Sequence, residues 1–355
     1  MCVSSLDRAV SSHVYKQHDL EDVVDERKDE VGMNQVKALL QGPYVTIPTP
    51  FKDVPGLPLD ENALVKYVRH VIDGGITSGS GVILAGGAAG DFSTMTLEER
   101  MHVARTVIET ADGAAPVAVG AQTNSTLELV RIGKMAESLG AAFIQVSPPS
   151  YFGHTPDDFY EHVRAVAQEC DIGIIIYNTF WTSQDVSTAL LEKLSDLDTV
   201  VGVKWSTTDL GFMEFEQALT QLCQRFAFID NQMRFVTSHM LGARSIEVHV
   251  CNYWPQWGLQ LWNLLEAHQY ESAQHELVRV GMPFMALWQQ MELYTGGDGY
   301  LDKLCMELVG LPSSRCRPPT RDVRDKFRGQ AVAMLQDAGT PLGATDSPAK
   351  TLSQR

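Results

Sequence analysis

Eight short runs of apolar and β-branched residues recur along this chain, each followed by a longer stretch of helical period. That alternation leaves few folds open. The runs are YVTIPTP (44–50), GVILAG (81–86), PVAVGA (116–121), AFIQVS (142–147), IGIIIYN (172–178), VVGVKW (200–205), FAFID (226–230) and SIEVHV (245–250). Strands that are apolar almost throughout are buried on both faces, as parallel strands are. The helical stretches carry their own stops. DENALVKYVRHVIDGG opens on Asp60 and closes on Gly74 and Gly75, and TLEERMHVARTVIETA opens on Thr96 with Glu99 three residues on, a capping box.

Eight β–α units are the arithmetic of a (β/α)8 barrel. A doubly wound sheet carries a glycine-rich turn after its first strand; here the first run leads into TIPTPF, and no dinucleotide fingerprint follows. The expected fold is therefore α/β, a (β/α)8 TIM barrel over 41–255. The helical pattern continues over 256–340, which is read as the last barrel helix and a C-terminal helical extension. Residues 1–40 are polar and mixed in charge and are expected to be a flexible leader, and 341–355 a loose tail.

The formal net charge of −16 argues against nucleic acid and anionic membrane surfaces as partners. No apolar run of the length of a membrane span occurs, nor a signal-peptide core. Cys2, Cys170, Cys223, Cys251, Cys305 and Cys316 are scattered singly. Disulfide frameworks and zinc sites cluster their cysteines, so a reduced, cytoplasmic protein is expected. Histidines show neither H-x-H nor H-E-x-x-H spacing, and no metal or cofactor is expected.

In a (β/α)8 barrel the chemistry sits at the C-terminal ends of the strands. Lys204 ends VVGVK. In a mostly apolar pocket an amine loses water, which favours its neutral, nucleophilic form, and such an amine condenses with a ketone to a Schiff base. The plainer alternative is a lysine that snorkels to solvent. Tyr177 ends IGIIIY on the preceding strand and is a candidate proton shuttle; alone it would read as a core tyrosine. The turn AGGAAGD (85–91) is small enough for backbone N–H groups to approach a carboxylate, a weak signal by itself.

Taken together these segments resemble the dihydrodipicolinate synthase / N-acetylneuraminate lyase family of Schiff-base class I aldolases. GVKWSTTD is similar to its lysine motif, IIIYNT to its tyrosine motif and GAAGD to its G-T-T-G-E loop. TMTLEER, VGAQTNSTLELV, SPPSYF, LDKLCMELVGLP and RCRPP follow in register. The resemblance runs from about Gly42 to Asp322. It implies that Lys204 forms the imine with a 2-oxo acid, typically pyruvate, that Tyr177 is the acid/base beside it, and that the Ala88 and Ala89 amides hold the carboxylate. It further implies that Tyr151 of SPPSYF reaches across a subunit interface, in a homo-oligomer built as a dimer or tetramer.

The departures from the family pattern concern the substrate. Ala88 and Ala89 stand where the family has hydroxyl residues, so a hydroxyl proton relay is absent there. Asp91 replaces a glutamate. Thr182 falls near the place of an arginine that pairs with an acidic substrate in the synthases, which disfavours dihydrodipicolinate synthesis. Phe180, Trp181, Trp205, Tyr253, Trp254 and Trp257 add bulk near the strand ends. These rings suggest an apolar or aromatic aldehyde half, as in the family's hydratase-aldolases. The expected activity is a Schiff-base lyase that cleaves or forms a carbon–carbon bond of a 2-oxo acid. The alternatives are a dehydratase or dehydratase/decarboxylase of a sugar-derived 2-oxo acid, and a non-catalytic 2-oxo-acid binder.

Overall fold

A computed structural model describes residues 32–206 and 212–343; residues 1–31, 207–211 and 344–355, including most of the expected leader and tail, lie outside the described residues. The chain opens with a helix α1 (residues 32–38) and strand β1 (Gly42–Ile47), then α2 (Glu61–Asp73), β2 (Val82–Ala85), α3 (Leu97–Ala111), β3 (Val117–Gly120) and α4 (Thr126–Ser138). Next come β4 (Phe143–Val146), α5 (Pro156–Ala167), β5 (Gly173–Thr179), α6 (Thr188–Leu194), β6 (Val200–Ser206), α7 (Phe212–Leu222), β7 (Ala227–Asp230), α8 (Phe235–Met240) and β8 (Ser245–Glu247). All eight strands pair in parallel with their sequence neighbours, and β8 returns to β1, closing the barrel. The expected TIM barrel is therefore the observed one.

The apolar strands bury both faces because two cores flank them. Val45, Ile83, Val119, Ile144, Ile176 and Val203 point outward, into the layer shared with the helices. Tyr44, Val82, Leu84, Ala118, Phe143, Ile175, Val201, Ala227 and Ile229 point inward and fill the lower barrel. Residues 32–40 belong structurally to the barrel and not to a loose leader. Leu40 is buried in the inner cluster, with Met33, Val36 and Leu39 packed on it, so α1 seals the N-terminal end.

One irregularity sets the site. The β5–β6 register advances from Ile174↔Val200 to Ile175↔Gly202, so β6 carries an extra residue. Val201 lies in the inner cluster, and a Cβ on Gly202 would meet Leu40 and Ile175, which are also inside. Two successive residues thus face inward, and from there Val203 points out and Lys204 in. A bulge of this kind re-aims every side chain after it.

Helix caps follow the sequence signals: Asp60 accepts from the Ala63 N–H, and Thr96 with Glu99 forms the reciprocal capping box. After β8 the expected strand 245–250 stops at Glu247 and tightens into a single turn of 3₁₀ helix over His249–Asn252. The cause is lateral: His249 and Asn252 turn to the buried Asp302 carboxylate instead of continuing the ladder. Helix α9 (Pro255–Glu266) covers the last strand. The extension then runs through α10 (Tyr270–Glu276), a π-helical turn (Leu277–Gly281), α11 (Met282–Glu292), α12 (Tyr300–Leu308) and α13 (Arg324–Asp337). No helix of the described residues is long and apolar enough to cross a membrane.

The inner seal is testable. Leu40→Ala leaves a void among rigid strand side chains, and a loss of about 2–5 kcal/mol is expected. A denaturant midpoint unchanged from the parent would show that α1 contributes nothing to closure.

Candidate active site

Lys204 is the sixth strand's one cation, and the fold drives it inward. Its backbone pairs in register with Tyr177 on β5, so both side chains enter the barrel at one level. Both are almost fully buried. Lys204 Nζ stands 4.7 Å from the Tyr177 ring centroid and 5.2 Å from that of Tyr44. The site is not the apolar pocket expected from sequence. Nζ forms an ion pair at 2.7 Å with Oε2 of Glu247, the last residue of β8, itself buried. Thr46 Oγ1 donates to the other oxygen, Oε1, at 2.6 Å. The amine is thereby drawn toward the β1 and β8 side of the barrel.

Burial pushes the Tyr177 phenol well above its usual range, with the nearby carboxylates of Asp298 and Glu247 adding to it. Its hydroxyl accepts from Asn231 Nδ2 at 3.2 Å. Near neutral pH it is therefore a phenol, not a phenolate.

A cavity of about 470 Å³ opens at the same end. Among the described residues its wall comes from the segments after β2, β3, β4 and β5, and Tyr177 and Thr179 reach it from β5 itself; Lys204 is not part of that wall. Ala88 lines it, and Ala89 is buried just behind. The Gly90 and Asp91 N–H groups close their own turn onto Gly87 and Ala88, while the Ala88 and Ala89 N–H groups have no acceptor among the described residues. Two free amides at the rim are suited to a carboxylate. The turn is fixed from behind, because a Cβ on Gly299 would sit 2.3 Å from the Ala89 carbonyl oxygen, so only glycine lets the extension pack so close.

Sequence-nominated residues divide clearly. Lys204 lies beside Tyr177, Tyr177 and Ala88 line the cavity with Ala89 buried behind, and Thr182 lines it with its hydroxyl donating to the Thr179 and Gln184 carbonyls. Asp91 does not face the cavity. It holds a left-handed backbone conformation (φ 58°), and its carboxylate is paired at 2.7 Å with Lys303 of α12. Trp205, next to an inward residue, points outward, its ring 5.4 Å from Phe215 under α7. Tyr151 is 80% exposed, edge-on to Phe152, and outside the cavity wall. Of the six rings taken as a substrate surface, only Trp181 lines the cavity; Tyr253 and Trp257 are buried beneath the C-terminal helices. Most of the wall is hydroxyl, amide or charged: Ser93, Arg100, Gln122, Asn124, Glu128 and Ser147 among others. Gln122 is buried with neither side-chain polar atom partnered, and Arg100 Nε is likewise unpartnered.

Sequence reasoning missed Glu247, Asp302 and His249. Asp302 binds His249 Nδ1 at 3.1 Å, a partly buried pair beside the buried pairs Lys204–Glu247 and Lys303–Asp91. Burial works against charge on His249, but Asp302, Asp298 and Glu247 outweigh it and lift the imidazole to about 10. Asp298 is raised to about 6 by burial, with Asp302 and Glu247 adding to the effect and His249 and Lys204 opposing it.

The description "Dihydrodipicolinate synthetase family" belongs to the family model that matches residues 40–338. Relatives include 4-hydroxy-tetrahydrodipicolinate synthases from Phenylobacterium zucineum, 26% identical over 86% of this chain and 99% of that one, and Pelobacter propionicus, 27% identical over 85% and 99%. Dihydrodipicolinate synthase from Aquifex aeolicus superposes with a TM-score of 0.73 at 24% identity, covering 85% of this chain and 99% of that one. At that identity the structural likeness is one of fold.

His249 gives a pH signature. A folded-state value raised above the usual 6.5 contributes stability that is fully present below pH 6.5 and is lost as pH rises through about 10. The unfolding free energy of His249→Gln is therefore expected to fall less between pH 7 and 10 than that of the parent; parallel curves in denaturant titrations would refute the charged pair.

Proposed function

The chain belongs to the dihydrodipicolinate synthetase family, whose chemistry is that of lysine-Schiff-base class I aldolases acting on 2-oxo acids, and from that premise we propose that Lys204 is its imine-forming residue and pyruvate its common substrate half. The observation that carries this reading is the β5–β6 register, which sets an amine and a phenol side by side at the active end of the barrel.

In this reading the pyruvate carboxylate lies on the Ala88 and Ala89 N–H groups, which bring its keto carbon toward β6. Lys204 attacks that carbon, and water leaves. The iminium nitrogen then draws in the electron pair released when the bond between the α and β carbons of the 2-oxo chain breaks and the β-hydroxyl gives up its proton, leaving an enamine and an aldehyde; bond formation runs the same steps backwards. Tyr177, held protonated by burial, passes protons between the nitrogen side and the departing or entering oxygen. The alanines supply donors but no hydroxyl, so Tyr177 works here without a hydroxyl relay through positions 88 and 89. Asp91 acts at one remove, pinning the turn to α12 through Lys303.

The other half of the substrate lies in the cavity beside Thr182, and its character follows from the wall. Unpartnered buried polar atoms on Gln122 and Arg100 need hydrogen-bonding groups opposite them. That favours a hydroxyl- or carboxyl-bearing half over an aromatic one, with Trp181 covering it. The same lining supports the second reading, dehydration of a sugar-derived 2-oxo acid through the same imine. Tyr151 and Phe152 form an exposed apolar pair suited to a subunit contact, in keeping with a homo-oligomer of two or four chains. The five described cysteines are all free, which supports a reducing, cytoplasmic setting.

Borohydride added with pyruvate is expected to yield a reduced covalent adduct by intact mass, absent in Lys204→Ala; equal labelling of both proteins would show that another lysine reacts. Tyr177→Phe is expected to retain the adduct while turnover falls about 10²-fold or more. Product analysis over hydroxylated and aromatic 2-oxo acids separates the two readings: an aldehyde fragment marks the lyase, and water loss without one marks the dehydratase.

A further inference from the structure

A lysine that must attack a ketone is here locked to a carboxylate, and the lock lies outside the cavity wall. The Nζ–Oε2 distance of 2.7 Å is that of a charged hydrogen bond. Glu247 enters from β8, Thr46 holds its far oxygen from β1, and Oε2 has no other hydrogen-bond partner among the described residues. Pulling an ammonium out of such a pair would strand two opposite charges in a buried site, which is strongly unfavourable. Moving the proton first removes both charges.

We propose that Glu247 is the base that takes the proton from Lys204 and so releases the amine toward the cavity, a role that rests on the Schiff-base reading above. The steps balance. The ammonium gives one proton to the Glu247 carboxylate, and the neutral amine forms the carbon–nitrogen bond. A second proton passes from nitrogen to the former ketone oxygen. Glu247 then returns its proton, through the Tyr177 hydroxyl, to that same oxygen; the carbon–oxygen bond breaks and water leaves. One positive charge enters as ammonium and one remains as iminium, with the regenerated carboxylate beside it. This replaces, from β8, two strands away from the turn after β2, the proton route that alanines at 88 and 89 cannot provide.

The charged and titratable groups close enough to feel the charge of Glu247 are Lys204 from β6, Tyr44 from β1, Tyr177 from β5, His249 and Cys251 from the turn after β8, and Asp298 from the segment before α12. Burial raises Tyr44, Tyr177 and Cys251 well above their usual ranges. Of these groups, Lys204 is the one in hydrogen-bond contact with Glu247.

The test is the rate of pyruvate imine formation, read by rapid mixing and borohydride quench across pH 6 to 10. Glu247→Gln keeps the shape and a hydrogen bond but cannot accept a proton. It is expected to form the imine about 10²-fold more slowly than the parent at pH 7, with a rate that climbs about tenfold per pH unit, while the parent profile stays flatter. Glu247→Asp, a shorter acid, is expected to keep the parent's profile at a reduced rate, and serves where the glutamine variant does not fold by thermal melt. If Glu247 is only a counter-ion that holds the amine charged, Glu247→Gln will react as fast as the parent or faster at pH 7, and that result overturns the proposal. Absence of any adduct at Lys204 in the parent protein would instead sink the Schiff-base reading, and this one with it.

Discussion

The site depends on one buried contact, the ion pair between a lysine on the sixth strand and a glutamate on the eighth. Neither strand touches the other in the sheet; β7 lies between them. The inward curvature of the barrel lets their side chains meet across β7. Burial of an ionised group without a partner is prohibitive, so each charge makes the other's burial possible, and Lys204 meets Glu247 because the extra residue in β6 turns it inward.

Around that contact the mouth is organised by like means. Each of three carboxylates is held by one cation, and two of the pairs, Asp91–Lys303 and Asp302–His249, tie barrel segments to α12. The C-terminal extension is therefore part of the active end. It fixes the Ala88–Ala89 turn from behind and steadies the turn that follows β8.

Much of this was legible in the sequence because the period-two rule and double burial leave a strong signature. All eight strands were found to within a few residues, and Lys204 and Tyr177 stood out as polar ends of apolar runs. The same rule, applied one step further, places Trp205 outward, since it follows an inward residue; chemical bulk near a motif was a poorer guide than parity. Glu247 carried a readable signal as well. A glutamate inside an otherwise apolar run, SIEVHV, has to find a cation, but which cation depends on closure across the barrel and not on neighbours in the chain. Lys303 and Asp302 were harder still, for they lie on a helix whose placement no local pattern specifies. The aromatic residues after β8 misled because their size serves packing: Tyr253 stacks on Phe284 of α11, and Trp257 of α9 is buried.

The plug formed by α1 has a consequence for traffic. With Leu40 and its neighbours filling the lower barrel, the cylinder has a floor, and the cavity among the described residues opens at the other end. On the reading proposed above, both halves of a substrate then share that end, and neither can drain away through the base of the strands.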